Sequence, residues 1–381
     1  MKQGLANRIL FAKPFMDEEE VEAAAEVIRS GWIVNGPKLQ QFEEQFAHIC
    51  HAKYAVGMSS WTSAAFLLLK ALGIGPGDEV LVPSFTFIAS VNVIIHTGAT
   101  PVFVDIDEET LNICLNDLRD KIGPKTKALF PVDQLGFPCD WSSINKLAAE
   151  HDLLVVQDAA CSFGTTLHGK GMGATSDHSI FSLHARKVIS TAEGGVVCTN
   201  DADLAQRLKR LRQQGMTISD FQRHDMPPTT FEQYDEIGYN FRITDIQAAI
   251  GLVQLRKLPK ILSRRREIAD YYNSRLQTCR HVEQVKIVSG GNPNWQSYSV
   301  TLTGHLAKSR NAIMINLAEK GIPSKRGVMA SHLERPYADK YLRLPATEKV
   351  SANSLLLPMY PDLSSEECEY IANTFLKILG E

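Results

Sequence analysis

Apolar and polar positions follow two rhythms along this chain. The first is helical. Val21, Ala24, Ala25 and Ile28 recur on one face, acids crowd the turn after Asp17, and Gly31 closes the run, so a helix is predicted over 17–30. GWIVNGP (31–37) reads as a loop, and an amphipathic helix follows over about 38–50. From residue 53 the rhythm changes to short β-rich runs: YAVG (54–57), EVLVP (79–83), PVFVD (101–105), KALFPV (127–132), LLVVQD (153–158), HSIFS (178–182) and GVVCT (195–199). Helical stretches or loops separate most of them. That alternation predicts an α/β fold with a largely parallel sheet and helices on both of its faces. Ligands gather at the carboxyl ends of such strands, so the residues just past each run are where chemistry is expected.

Residues 205–240 are polar, with Pro227 and Pro228 in the middle, and read as an active-site or interface segment rather than packed core. Thr244-x-x-Gln247 is a capping box opening a helix to about Leu258. A second helix, carrying arginines at 264–266, follows to about Leu276. The remainder has strand and helix signals of its own, and its last helix begins at Ser364-x-x-Glu367 and should bury Ile371, Phe375 and Ile378. The chain is therefore divided into a large domain, 1–260, and a smaller C-terminal α+β domain, 261–381.

Composition narrows the class. The chain has 381 residues, 44% apolar and 22% charged, as expected of a globular protein of about two domains. Forty Lys and Arg against 43 Asp and Glu give a net charge of −3, which argues against a dedicated nucleic-acid binder. The seven cysteines form no C-x-x-C pair, so neither a zinc site nor a disulfide framework is expected, and a reducing cytoplasm is the natural setting. MKQGLANRILF lacks a signal-length apolar run, and no stretch is long and apolar enough to span a membrane.

The glycine clusters GIGPG (73–77) and GKGMG (169–173) are not dinucleotide fingerprints, because neither stands between a strand and a helix it opens. FSLHARKVISTAEGG (181–195) carries more. Lys187 lies between a strand end and a small-residue turn; it is either a surface lysine or a Schiff-base nucleophile. Asp158 closes an apolar strand, where a buried carboxylate needs a cationic or hydrogen-bonding partner; it either caps the next turn or meets a protonated pyridine nitrogen. SSWTSAAFLLLKAL (59–72) puts hydroxyl residues ahead of an apolar helix, giving an ordinary N-cap or a phosphate site.

Taken with SGWIVNGP (30–37), GDEVLVPSFTF (77–87), PVFVDID (101–107), QDAACSFG (157–164), GYNFRITDIQAAIGLVQL (238–255) and LPMYPDLSSEE (357–367), these segments resemble, in order and over nearly the whole chain, the DegT/StrS-type sugar aminotransferases. These are fold-type-I enzymes dependent on pyridoxal 5′-phosphate (PLP). The resemblance implies a mostly parallel seven-stranded sheet and a set of roles. Lys187 would carry the Schiff base and move a proton, and Asp158 would keep the pyridine nitrogen protonated. Phe87 would stack on the ring, unless it is a core aromatic. Thr62, Ser63 and Ser182 would bind the phosphate, and Cys161 would stand beside the cofactor where many members have Gln or His. Asn240 would reach the phosphate of the neighbouring subunit, which implies a homodimer with shared sites. Gln134 would line the site. Lys325 and Arg326 would bind a diphosphate or a donor carboxylate, or else form a solvated pair, and His332 matches a histidine of the family pattern. Trp61, where the family commonly has glycine, would reshape the phosphate loop or project into a pocket.

The implied reaction moves an amino group from an amino acid, L-glutamate foremost, to a keto group of a nucleotide-linked sugar. Lys187 itself favours this over the related dehydratases, which carry His there. A keto-cyclitol acceptor, a PLP-dependent dehydration and a non-catalytic PLP-binding regulator remain as alternatives. A nicotinamide oxidoreductase is weakened by the missing strand–GxGxxG–helix context.

Overall fold

The computed structural model describes residues 9–218, 226–227, 229–307, 309–339 and 341–381. Part of the polar 205–240 segment, Pro228 included, and residues 1–8 fall outside them. All seven β-rich runs become strands of one sheet: β1 (Tyr54–Met58), β2 (Glu79–Pro83), β3 (Thr100–Val104), β4 (Thr126–Leu129), β5 (Leu154–Asp158), β6 (His178–Ser182) and β7 (Gly195–Thr199). Their order is β1-β7-β6-β5-β4-β2-β3, parallel except where β7 lies antiparallel to β1 and β6. The side-chain alternation of each strand feeds two cores. Leu81, Leu129, Val155, Phe181 and Val196 join one cluster, with Phe42, Phe46 and Trp141 from the helices on that side. Val80, Val82, Val156, Ile180 and Val197 join the other, with Trp61, Leu67 and Leu208.

α1 (Glu18–Ser30) starts on a capping box, Asp17 with Glu20, and ends at Gly31 in the left-handed conformation. Its buried face is not the apolar one read from the pattern. Val21 and Ile28 are each 59% exposed, whereas Glu20 and Val27 are buried. Glu20 accepts from Gln254 Nε2 at 2.7 Å and from Lys257 Nζ at 2.8 Å, so a buried ion pair fixes the helix's rotation. α2 (Pro37–Cys50) begins where Asp245 accepts the N–H groups of Gly36, Lys38 and Leu39. That carboxylate ties the 31–37 loop to the start of a much longer helix.

The two helices expected over 245–276 are one, α8 (Asp245–Leu276), opened by the Thr244–Gln247 capping box and running through Pro259. (α3 to α7 are Trp61–Ala71, Ala89–Thr97, Leu115–Asp120, Trp141–Glu150 and Ala202–Leu211.) Proline removes one helical hydrogen bond and would ordinarily end the element. Here Leu258 and Ile261 are both buried beside it, and tertiary packing keeps the helix whole. As far as Ile261 its apolar residues belong to the first core; from Ile268 onward they belong to a third cluster. This third cluster covers an antiparallel sheet of β8 (Val282–Gln284), β9 (Tyr298–Leu302), β10 (Lys325–Arg326) and β11 (Ser354–Leu357), ordered β8-β9-β11-β10. The terminal helix Ser365–Leu379 packs on it through Ile371 and Phe375, as the pattern predicts. Among the described residues no helix is long and apolar enough to cross a membrane.

Candidate active site

Chemistry-bearing residues collect at the carboxyl ends of β5 and β6. Asp158 ends β5, and the turn after it holds two alanines and then Cys161. Asp158 is 3% exposed and, among the described residues, accepts two hydrogen bonds, from Ser90 Oγ at 2.7 Å and from the N–H of Ala160 at 3.0 Å. Burial pushes its pKa up to about 6, although those bonds and the charge of Lys187 pull the other way.

Lys187 lies on the loop between β6 and β7. Backbone bonds close that loop at its base, from Leu183 N to Gly194 O at 2.9 Å and from Ala185 N to Ala192 O at 3.0 Å. The carbonyl of Arg186 is pinned by Gln296 Nε2 at 2.6 Å. A lysine on an exposed loop would wander; this one is braced on both sides. Its Nζ donates to Cys161 Sγ at 3.1 Å. Lysine, thiol and buried carboxylate therefore share one small volume.

The start of α3 completes the set. Ser60 caps it: its Oγ accepts the N–H of Ser63 at 3.1 Å, and the Ser63 hydroxyl donates to Ser60 O at 2.9 Å. Ser63 is thus consumed by the cap, while Trp61 and Thr62 amides remain among the unpaired first N–H groups of the helix, and the Thr62 side chain is exposed. Gly195 lets this helix approach the sheet, since a Cβ there would sit 2.4 Å from Ser60 O and 2.7 Å from Trp61 Cα. Ser182, buried at the end of β6, is close by in sequence to the lysine loop.

Trp61 does not project outward. It folds inward at 7% exposure, stacks on Phe130 with centroids 6.3 Å apart, and donates from Nε1 to Ile180 O at 3.3 Å. Its bulk is core, which removes one reason to read the chain as a disabled binding protein. Phe87 is 64% exposed, so it is not a core aromatic and its ring is free to cover a ligand. Asn240 is exposed on the loop whose next residue, Phe241, accepts the N–H of Ser59 at 2.8 Å, near the start of α3.

Two predicted site residues are engaged elsewhere. His332 is fully buried; Nδ1 bonds Ser84 Oγ at 2.6 Å and Nε2 faces Glu348 Oε1 at 3.4 Å. With both ring nitrogens occupied it presents no face to a substrate, and it staples the 331–333 turn to the end of β2. Gln134 is buried as well, with its Nε2 bonded to the carbonyl of Phe85. It shapes the segment leading to Phe87 instead of meeting a ligand. Lys325 and Arg326 are exposed, with Arg326 facing Glu334 at 3.5 Å. Sequence reasoning missed Ser90, Gly195 and Gln296. Only the tight Gly-Gly after the lysine turn signalled one of them.

These residues fit PLP. An under-bonded buried carboxylate suits a protonated ring nitrogen, a braced amine suits an aldehyde carbon, and the glycine-supported helix start suits a phosphate. Clefts of 550 Å³ and 360 Å³ open beside α1 and α2, but neither is lined by Lys187 or Asp158, so functional groups rather than volume mark the site.

Residues 14–376 match the family model described as the DegT/DnrJ/EryC1/StrS aminotransferase family. The chain is 38% identical over 364 residues to GDP-perosamine synthase of Escherichia coli O157:H7, covering 95% of this chain and 96% of that one. Among solved structures it resembles the aminotransferase TlmJ of Streptoalloteichus hindustanus, with a TM-score of 0.90, 32% identity, and coverage of 98% of this chain and 99% of the other. It also resembles Spr1654 of Streptococcus pneumoniae in its PLP-form, with a TM-score of 0.89, 30% identity, and coverage of 97% and 98%.

Proposed function

We propose, because this chain belongs to the DegT/DnrJ/EryC1/StrS aminotransferase family, that it moves an amino group from an amino acid to a keto group of a nucleotide-linked sugar. The cofactor is PLP, which supplies an electron sink for the carbon losing its proton. L-Glutamate is the donor we favour. The observation that carries the reading is the meeting of Lys187, Cys161 and an under-bonded Asp158 beside the start of α3.

Each residue then has a task. Lys187 Nζ is the nucleophile, and its short loop lets it hold a proton and return it to a neighbouring carbon. Asp158 accepts the ring N–H and keeps it in place. Thr62, the first α3 amides and Ser182 hold the phosphate, with Ser63 acting through the cap. Phe87 covers the ring, and Cys161 sits beside the reacting amine. Asn240 is contributed across a homodimer to the partner's phosphate. Lys325 and Arg326 face the substrate, and the division into 1–260 and 261–381 follows the change of core along α8. A cytoplasmic setting agrees with the free cysteines.

The test is the visible absorbance of the purified protein before and after L-glutamate, with Lys187→Ala alongside. The wild type should show the bound-cofactor band and lose it to the amino form on adding glutamate; the variant should lack the normal band. A wild type with no band even after added PLP would sink the reading.

A further inference from the structure

On the loop that carries Lys187 begins a cluster of positive charge that no ion pair explains. Arg186, the residue before Lys187, places its guanidinium carbon 5.6 Å from the centroid of Phe11. Lys325, on β10, places Nζ 5.1 Å from the same centroid. The two cations come from distant parts of the chain and share one ring. Among the described residues neither has a carboxylate within ion-pair distance. Burial and then the charge of Arg186 lower the pKa of Lys325, so the pair repel each other as they stand. Arg326 adjoins Lys325 in sequence, faces Glu334 at 3.5 Å, and its charge also bears on Arg310.

The cluster is built, not incidental. Phe11 is held by its neighbours: its carbonyl accepts Met359 N–H at 3.3 Å, and Leu10 N–H meets Tyr360 Oη at 3.4 Å. Lys325 and Arg326 are registered against Leu356 and Leu355 of β11. Arg186 is anchored through its carbonyl to Gln296, which is 8% exposed and whose Oε1 has no partner among the described residues. Holding like charges together costs free energy that an anion would recover. An arginine fork with a lysine point charge suits adjacent phosphates better than one carboxylate.

We propose that Arg186 and Lys325, spaced by Phe11, form the cradle for the diphosphate of a nucleotide-linked substrate. This rests on the function proposed above and adds Arg186 and Phe11 to it, with Arg186 in place of Arg326 as the partner of Lys325. Arg186 directly precedes Lys187 in the chain, so a diphosphate held here would be bound by the same loop that carries the reactive amine.

Titration of the PLP-loaded protein with GDP and, separately, inorganic pyrophosphate at fixed low salt, followed by calorimetry, tests it. Arg186→Ala and Lys325→Ala should each weaken GDP binding about tenfold and flatten its salt dependence. Lys13→Ala, which removes a charge paired with Asp362 elsewhere, should not. Retained cofactor absorbance shows that the variants fold. Unchanged GDP affinity in both variants overturns the cradle, as does an equal loss in Lys13→Ala. A rise in the glutamate concentration needed for half-conversion, with GDP affinity intact, also overturns it and assigns the charges to the donor. A wild type that binds GDP through these residues yet shows no cofactor band would instead sink the aminotransferase reading and leave the cradle standing.

Discussion

Two buried carboxylates sit at the ends of adjacent strands and live in opposite circumstances. Asp133, just beyond β4, is fully buried and accepts four bonds: Cys139 N–H at 2.9 Å, Trp141 Nε1 at 3.0 Å, Gln157 Nε2 at 2.6 Å and Ser162 Oγ at 2.8 Å. Asp158 accepts two. The backbones touch, with Asp133 N–H bonded to Asp158 O at 3.1 Å. A carboxylate offers about four acceptor positions. Asp133 has filled them with protein donors and serves the fold. Asp158 has kept some in reserve, close enough to Lys187 to feel its charge. Burial raises the pKa of both, but only Asp158 has capacity left for a ligand that carries its own proton.

The largest effect that would sharpen this contrast is on Asp133. Asp133→Ala strands four buried donors and should cost at least about 4 kcal/mol, read from the urea midpoint. A loss under about 1 kcal/mol would break the contrast, because Asp133 would then not be the structural member of the pair. Asp158→Asn should do the reverse. The Asp158 carboxyl in the fold titrates near 6, above its unfolded value near 3.8. Below both values it is neutral in either state and costs nothing. Between them the folded state holds the proton that the unfolded state releases, so stability falls as pH rises. Above about 6 the full cost is present, roughly 3 kcal/mol. Cofactor-free Asp158→Asn should therefore be more stable than wild type by roughly that amount at pH 8 and by nothing at pH 3, while losing on the order of a hundredfold or more in transamination. Equal stability at both pH values would show that the carboxylate is not strained. The smallest effect belongs to Ser90→Ala. Losing one of two donors should cost about 1 kcal/mol and extend upward the pH range over which cofactor-free stability falls, its onset near the unfolded value unchanged.

The sequence made the strands legible because each is short, apolar and bounded by turn residues, and their alternation survives in the two cores. It misread α1 because two stripes there are compatible with burial. Val21 and Ile28 won on hydrophobicity, but the fold chose the stripe whose Glu20 meets Lys257 and Gln254, partners more than two hundred residues away. Pro259 misled for a similar reason: a local rule against proline was overruled by packing on both sides. In the site, Lys187 and Asp158 were each ambiguous alone, and roles came to them only from the ordered resemblance of segments along the chain. His332 was not, since a histidine's burial depends on Ser84 and Glu348, which lie far away or on another element. Trp61 was conspicuous as a departure, yet only the position of Phe130 reveals that its ring is filler.

The unbroken α8 has a mechanical consequence. Its first half is bolted into the core beneath the lysine loop, and its second half carries the C-terminal sheet with Lys325. A beam of 32 residues cannot act as a hinge without losing several helical bonds at once. Force on the small sheet is therefore passed along the beam to the floor of the Lys187 loop, and access for a bulky substrate is expected to fall to surface loops rather than to a scissoring of the two halves.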